Sequence, residues 1–228
     1  MRTFLAVAGA AILLIAASLL LLRPTGDQSA APVEGLPWQI EALPGGDVRV
    51  FGLTLAGSTL GDARVRFGED MELGIVAARG EPGALEAYYQ DVTAGTIVGK
   101  MVLVGALDPA TLGRMREHAV KREYMHATTY RYILDPDDLA TAWRARIATI
   151  TFIPAVSIST ETAVARFGAP QERLRSSEQV EHLLYPDKGL DLAIDARGKA
   201  VMQYVAPREF ARLRAPLENS AASKPERH

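Results

Sequence analysis

The sequence predicts an α+β protein: an N-terminal transmembrane helix followed by two tandem helix-plus-antiparallel-meander units, with an α-β-α insert between them. Three observations lead there. An uncharged run of 19 residues, Phe4–Leu22, stands near the start of the chain. A helix-and-stop pattern, Ala63 with Arg66-Phe67-Gly68, returns as Ala163 with Arg166-Phe167-Gly168 at an offset of 100. Each copy is followed by alternating apolar runs separated by turn formers, the pattern of half-buried strands. The divisions that follow are a membrane anchor at 1–23, a linker at 24–36, a first unit at 37–107, a connecting insert at 108–148, a second unit at 149–214 and a disordered tail at 215–228.

The anchor comes first. At about 1.5 Å per residue the apolar run matches the hydrocarbon thickness of a bilayer. A cleaved signal peptide has a shorter apolar core and a small-residue site directly after it; here Arg23-Pro24 follows, and Ser29-Ala30-Ala31 lies well downstream. A retained single-pass helix is therefore expected, with the body outside, in the periplasm of a bacterial inner membrane. Residues 24–36 are rich in Pro, Gly, Ser and Ala, which suits a linker.

In the first unit, Asp47–Leu55 alternates around Gly52 and reads as one strand with a bulge. Ser58 or Thr59 caps the next helix, with Asp62 placed for a capping box. Leu60, Ala63 and Phe67 share a face, and Gly68 stops the helix. Phe67 and Phe167 are the expected knobs that dock each helix on its sheet. Strands are expected near 72–78, 84–92 and 96–104.

In the insert, Asp108-Pro109 and Asp135-Pro136 each open a helix, with Asp as cap and Pro in the first turn. Between them Thr128–Leu134 reads as a strand. The second unit begins with a strand at Thr149–Ile158, expected at an edge or bulge because of Pro154. The helix Ser159–Phe167 ends at Gly168. A three-stranded meander follows, its first turn closed by Gly189, and Pro207–Arg214 forms a short helix.

Composition narrows the function. Removing Arg2 and Arg23 from the 25 basic residues leaves 23 against 27 acidic, so no basic surface invites nucleic acid. The absence of cysteine excludes disulfides, thiolate metal sites and lipidation at cysteine. Gly99-Lys100 and Gly198-Lys199 lack the remaining residues of a phosphate loop, and Ser58 lacks the glycine of a nucleophile elbow. His118 and His126 lie near Glu117 and Glu123 but without helical i, i+4 spacing, and His182 alternates with Val180 and Leu184 on one strand face. No metal, cofactor or catalytic residue is expected. Tyr130, Tyr132, Tyr185 and His182 are the candidate binding residues; Phe67, Gly68, Phe167, Gly168 and Gly189 are structural.

Ala163–Pro170, then Leu184–Leu190, then Gly198–Val201 resemble the SmpA/OmlA-like family of bacterial envelope proteins. Tandem copies are similar to the β-lactamase inhibitor protein architecture. The resemblance implies a binding scaffold without catalytic residues. The chain departs from the outer-membrane members in having no cysteine to lipidate. The expectation is a non-enzymatic, membrane-anchored envelope protein that binds a periplasmic protein or a cell-wall partner. The alternatives are an inhibitor or regulator of a periplasmic enzyme, or a small histidine-dependent hydrolase or metal enzyme.

Overall fold

The computed structural model describes residues 33–222. The expected anchor at 1–23, and the localisation that rests on it, lie outside the described residues. Among the described residues no helix is long and apolar enough to cross a membrane.

The alternating runs do become strands, but they do not close two units. β4 (Glu72–Ala78), β5 (Ala84–Ala94), β6 (Ile97–Ala106), β7 (Lys121–His126), β8 (Thr129–Ile133), β9 (Arg146–Pro154), β10 (Glu172–Arg175), β11 (Val180–Tyr185), β12 (Leu190–Asp195) and β13 (Ala200–Val205) form one antiparallel sheet. Its order is β10-β11-β12-β13-β9-β6-β5-β4-β8-β7. The predicted fold class is thereby corrected: the described chain is mostly β, built on a single ten-stranded sheet, and not a pair of tandem α+β units. The physical reason is β9. Two meanders alone would each leave a strand edge with unpaired backbone groups. β9 pairs on both sides, with Thr151 opposite Val102 of β6 and Gln203 of β13. It is central, not the edge its proline suggested, because Pro154 is its last residue.

Among the described residues five α-helices accompany the sheet: α1 (Leu60–Phe67), α2 (Pro109–Glu117), α3 (Pro136–Arg144), α4 (Thr160–Phe167) and α5 (Ala211–Ala222). Thr59 makes the capping box with Asp62, and Asp108 and Asp135 cap α2 and α3 with proline in the first turn. Leu60, Ala63, Leu103, Phe167, Leu192 and Tyr204 belong to one buried cluster, so the two halves share a core. Phe167 is buried, whereas Phe67 is only half-buried and packs against that core.

Four further expectations change. The strand at Asp47–Leu55 is a hairpin of β2 (Val48–Val50) and β3 (Leu53–Thr54), turned at Phe51 and Gly52, both with positive φ, and joined by β1 (Glu41–Ala42). Phe51 packs on Phe152 and edge-on to Tyr204 at centroid distances of 5.2 and 5.4 Å. The insert carries two strands, β7 and β8, which extend the main sheet beyond β4. The second meander has a fourth strand, β10. The tail expected to be disordered from residue 215 is helical through Ala222; residues 223–228 lie outside the described residues.

Gly189 has φ 62°, and a Cβ there would lie 2.0 Å from the Val205 carbonyl oxygen, so the turn into β12 accepts no side chain. The Tyr204 hydroxyl donates to the Pro37 carbonyl at 3.0 Å. Arg208 pairs with Asp47, a second tie from the end of the sheet to the start of the described chain.

Candidate functional site

The two edges of the sheet differ. β10 is covered: α5 packs on it, Arg214 reaches Glu172 at 3.2 Å, and Leu213 and Leu217 join Leu174, Leu184, Val205 and Phe210 in a small apolar cluster. β7, at the other edge, is paired only with β8, and five of its six residues are exposed. Tyr124 is 65% exposed there.

Beside this edge lies a groove of about 700 Å³, formed where the β4–β5 loop, α2, β7 and β8 meet. Arg79 comes from the loop, Arg116 from the last turn of α2 and Arg122 from β7; Tyr130 and Tyr132 come from β8. The strand period explains the tyrosines: residues two apart share a face. The Arg116 guanidinium donates to the Glu81 and Pro82 carbonyls at 2.7 and 3.2 Å, which holds the loop against α2. Arg122 stacks over Tyr130 at 4.6 Å, and Tyr124 meets Tyr130 edge-on at 5.9 Å. Among the described residues, none of the three arginines is in an ion pair. Glu81 is the one acid in the lining. A net positive groove on a chain of net charge −2 is a local reversal of sign, and focused charge of this kind selects anions.

On the opposite face of the same edge is a second hollow of about 350 Å³. Val76, Tyr88, Val102 and Met125 line it with Glu86 and Arg131. Met125 sits where the β7–β8 register slips. Arg131 is bound to Glu72 and Glu123, and burial pushes the Glu86 carboxyl above its ordinary value. One edge strand thus borders a cationic groove on one face and a mostly apolar hollow on the other.

The remaining candidates from the sequence are elsewhere. Tyr185 is buried, and its hydroxyl donates to the Gly168 carbonyl at 3.0 Å, so it presents no surface to a partner. His182 is buried between Ser176 and Asp191. Its Nδ1 is 2.9 and 3.0 Å from the Asp191 carboxylate oxygens, and its Nε2 is 2.9 Å from Ser176 Oγ. His118 caps α2, with Nδ1 3.9 Å from Asp138; His126 is exposed at the end of β7. Among the described residues no group of three or more His, Cys, Asp or Glu is arranged to hold a metal.

Sequence reasoning missed Arg79, Arg116 and Arg122 because they come from a loop, a helix and a strand that only the sheet order brings together. It missed Ser176 and Asp191 because their link to His182 is a register across three strands. No protein-family model, curated protein or solved structure matches the chain.

Proposed function

We propose that the protein is a membrane-anchored envelope binding module that captures an extended acidic segment of a protein partner along β7. The observation that carries this reading is the groove: three guanidiniums without carboxylate partners among the described residues converge beside two tyrosines at the exposed edge of the sheet. Arginine is suited to the work because its planar fork takes a carboxylate through two parallel hydrogen bonds. Strand addition at an edge supplies main-chain hydrogen bonds, and hollows on the two faces read alternate side chains. The faces here favour acidic residues on one side and apolar ones on the other. The envelope location rests on the uncharged run Phe4–Leu22.

The test is fluorescence anisotropy with a labelled peptide of alternating Glu and Val, against its Lys-and-Val counterpart. The acidic peptide should bind, and binding should weaken as salt rises. Arg79→Gln with Arg122→Gln leaves the Arg116 loop clasp in place and should weaken binding at least about tenfold, the loss of roughly 1.4 kcal/mol. Equal binding of the two peptides, or a folded double variant that binds as well as wild type, refutes the proposal.

A further inference from the structure

We infer that Ser176, His182 and Asp191 form an acyl-transfer site that cleaves carboxylic esters, separate from the groove at β7. The register assembles the three. Leu174 is opposite His182 and Leu184 is opposite Asp191, so His182 and Asp191 fall on one face of adjacent strands. Ser176, two residues past Leu174, begins the turn after β10 and projects onto the same line. The roles of the ring nitrogens follow from chemistry. An ionised carboxylate only accepts hydrogen bonds, so Asp191 fixes the proton on Nδ1. Nε2 then keeps its lone pair for the Ser176 hydroxyl proton. His182 and Asp191 are 8% and 3% exposed, so tautomer and ring orientation are held by the sheet, while Ser176 is half-buried in a turn. This is the division of labour of a Ser-His-Asp triad: a buried acid, an oriented base and a nucleophile nearer solvent.

One more feature of the turn matters. The backbone N–H groups of Ser177 and Glu178 donate to no acceptor among the described residues. The N–H next to a nucleophile is a common donor to a developing oxyanion. A purely structural role accounts for less. A buried His–Asp pair is costly to desolvate and adds little stability over apolar residues.

The chemistry balances with water as the only co-reactant. Ser176 Oγ attacks the ester carbonyl carbon as its proton passes to Nε2. The ester C–O bond breaks, and the leaving alkoxide takes that proton, which leaves the acyl group on Oγ. Water then attacks the acyl carbon and gives a proton to Nε2. The acyl–Oγ bond breaks, the acid departs, and the proton returns to Ser176.

The experiment is to treat the folded wild-type chain with a fluorophosphonate probe, map the labelled peptide by mass spectrometry, and follow p-nitrophenyl acetate hydrolysis. The expected result is labelling at Ser176 and ester turnover. Ser176→Ala should abolish both, and Asp191→Asn should lower turnover roughly 10²–10⁴-fold. Absence of Ser176 labelling in the wild-type chain overturns the inference without reliance on any variant. So does turnover that survives in a folded Ser176→Ala chain.

Discussion

At the end of α1, Gly68 has φ 93°, and its carbonyl accepts the Tyr89 hydroxyl at 3.4 Å. At the end of α4, Gly168 has φ 85°, and its carbonyl accepts the Tyr185 hydroxyl at 3.0 Å. The preceding phenylalanine packs on the same tyrosine in both places, at centroid distances of 5.8 and 6.0 Å. The two regions differ in what surrounds them. Phe167 is buried, with Trp38 edge-on at 6.3 Å, and Lys188 donates to its carbonyl. Phe67 is half-buried, and Arg66 lies over its outer side at 5.7 Å. The repeated sequence therefore encodes a helix end and the residue it docks on. How strongly that end is held depends on neighbours that do not repeat.

Three measurements break or sharpen the comparison. Phe167→Ala should cost about 3–5 kcal/mol in urea denaturation, the range for emptying a buried aromatic site. Phe67→Ala should cost roughly 1–2 kcal/mol, in proportion to the smaller area it hides. Equal losses would mean the two docking sites are equivalent. The next effect is in alkaline solution. Burial pushes the Tyr89 phenol up to about 12 and raises Tyr185 and Tyr204 as well. A folded-state value above the unfolded one means that the unfolded chain loses its phenolic protons first. The associated stability is complete below pH about 10 and falls as pH rises from there toward 12. Tyr89 should cost about 1.4 kcal/mol per pH unit within that window, measured by denaturation and by ultraviolet titration of phenolate. Stability that is level from pH 9 to 11 contradicts this. The smallest effect is at the caps. Thr59→Ala removes half of a reciprocal capping box, and Ser159→Ala removes the acceptor of the Thr162 N–H and a bond to the Thr162 hydroxyl, with no reciprocal bond to the cap backbone. Both should cost about 1 kcal/mol, with Thr59 the larger; the reverse order would discount the Asp62 return bond.

The helix ends were legible because their signals are local: a cap, a three-residue spacing, a glycine. Asp108-Pro109 and Asp135-Pro136 worked for the same reason. The fold class was not legible, because nothing in Arg146–Pro154 says that both of its edges will be paired. β7 and β10 escaped because Lys121–His126 and Glu172–Arg175 are short and charged, as strands at sheet edges often are. Of the groove, Tyr130 and Tyr132 could be picked out by alternation. The three arginines could not, since they stand at positions 79, 116 and 122 on three kinds of element. His182 was visible as an alternating strand residue, but its partners required the register of β10, β11 and β12.

The hydrogen bond from Tyr204 to Pro37 has a consequence for the order in which the chain is made. It joins positions 167 residues apart, and Phe51 in the early hairpin packs on Tyr204 and on Phe152. A polypeptide emerging residue by residue exposes its first hairpin long before β13 exists to receive it. Contacts of such long range are slow to form, because loop closure must precede the reward. Until the last strand is synthesised, β6 and then β9 present open edges, a window for mispairing with other nascent chains. Folding of this chain is completed from its far end, by the strand that translation delivers last.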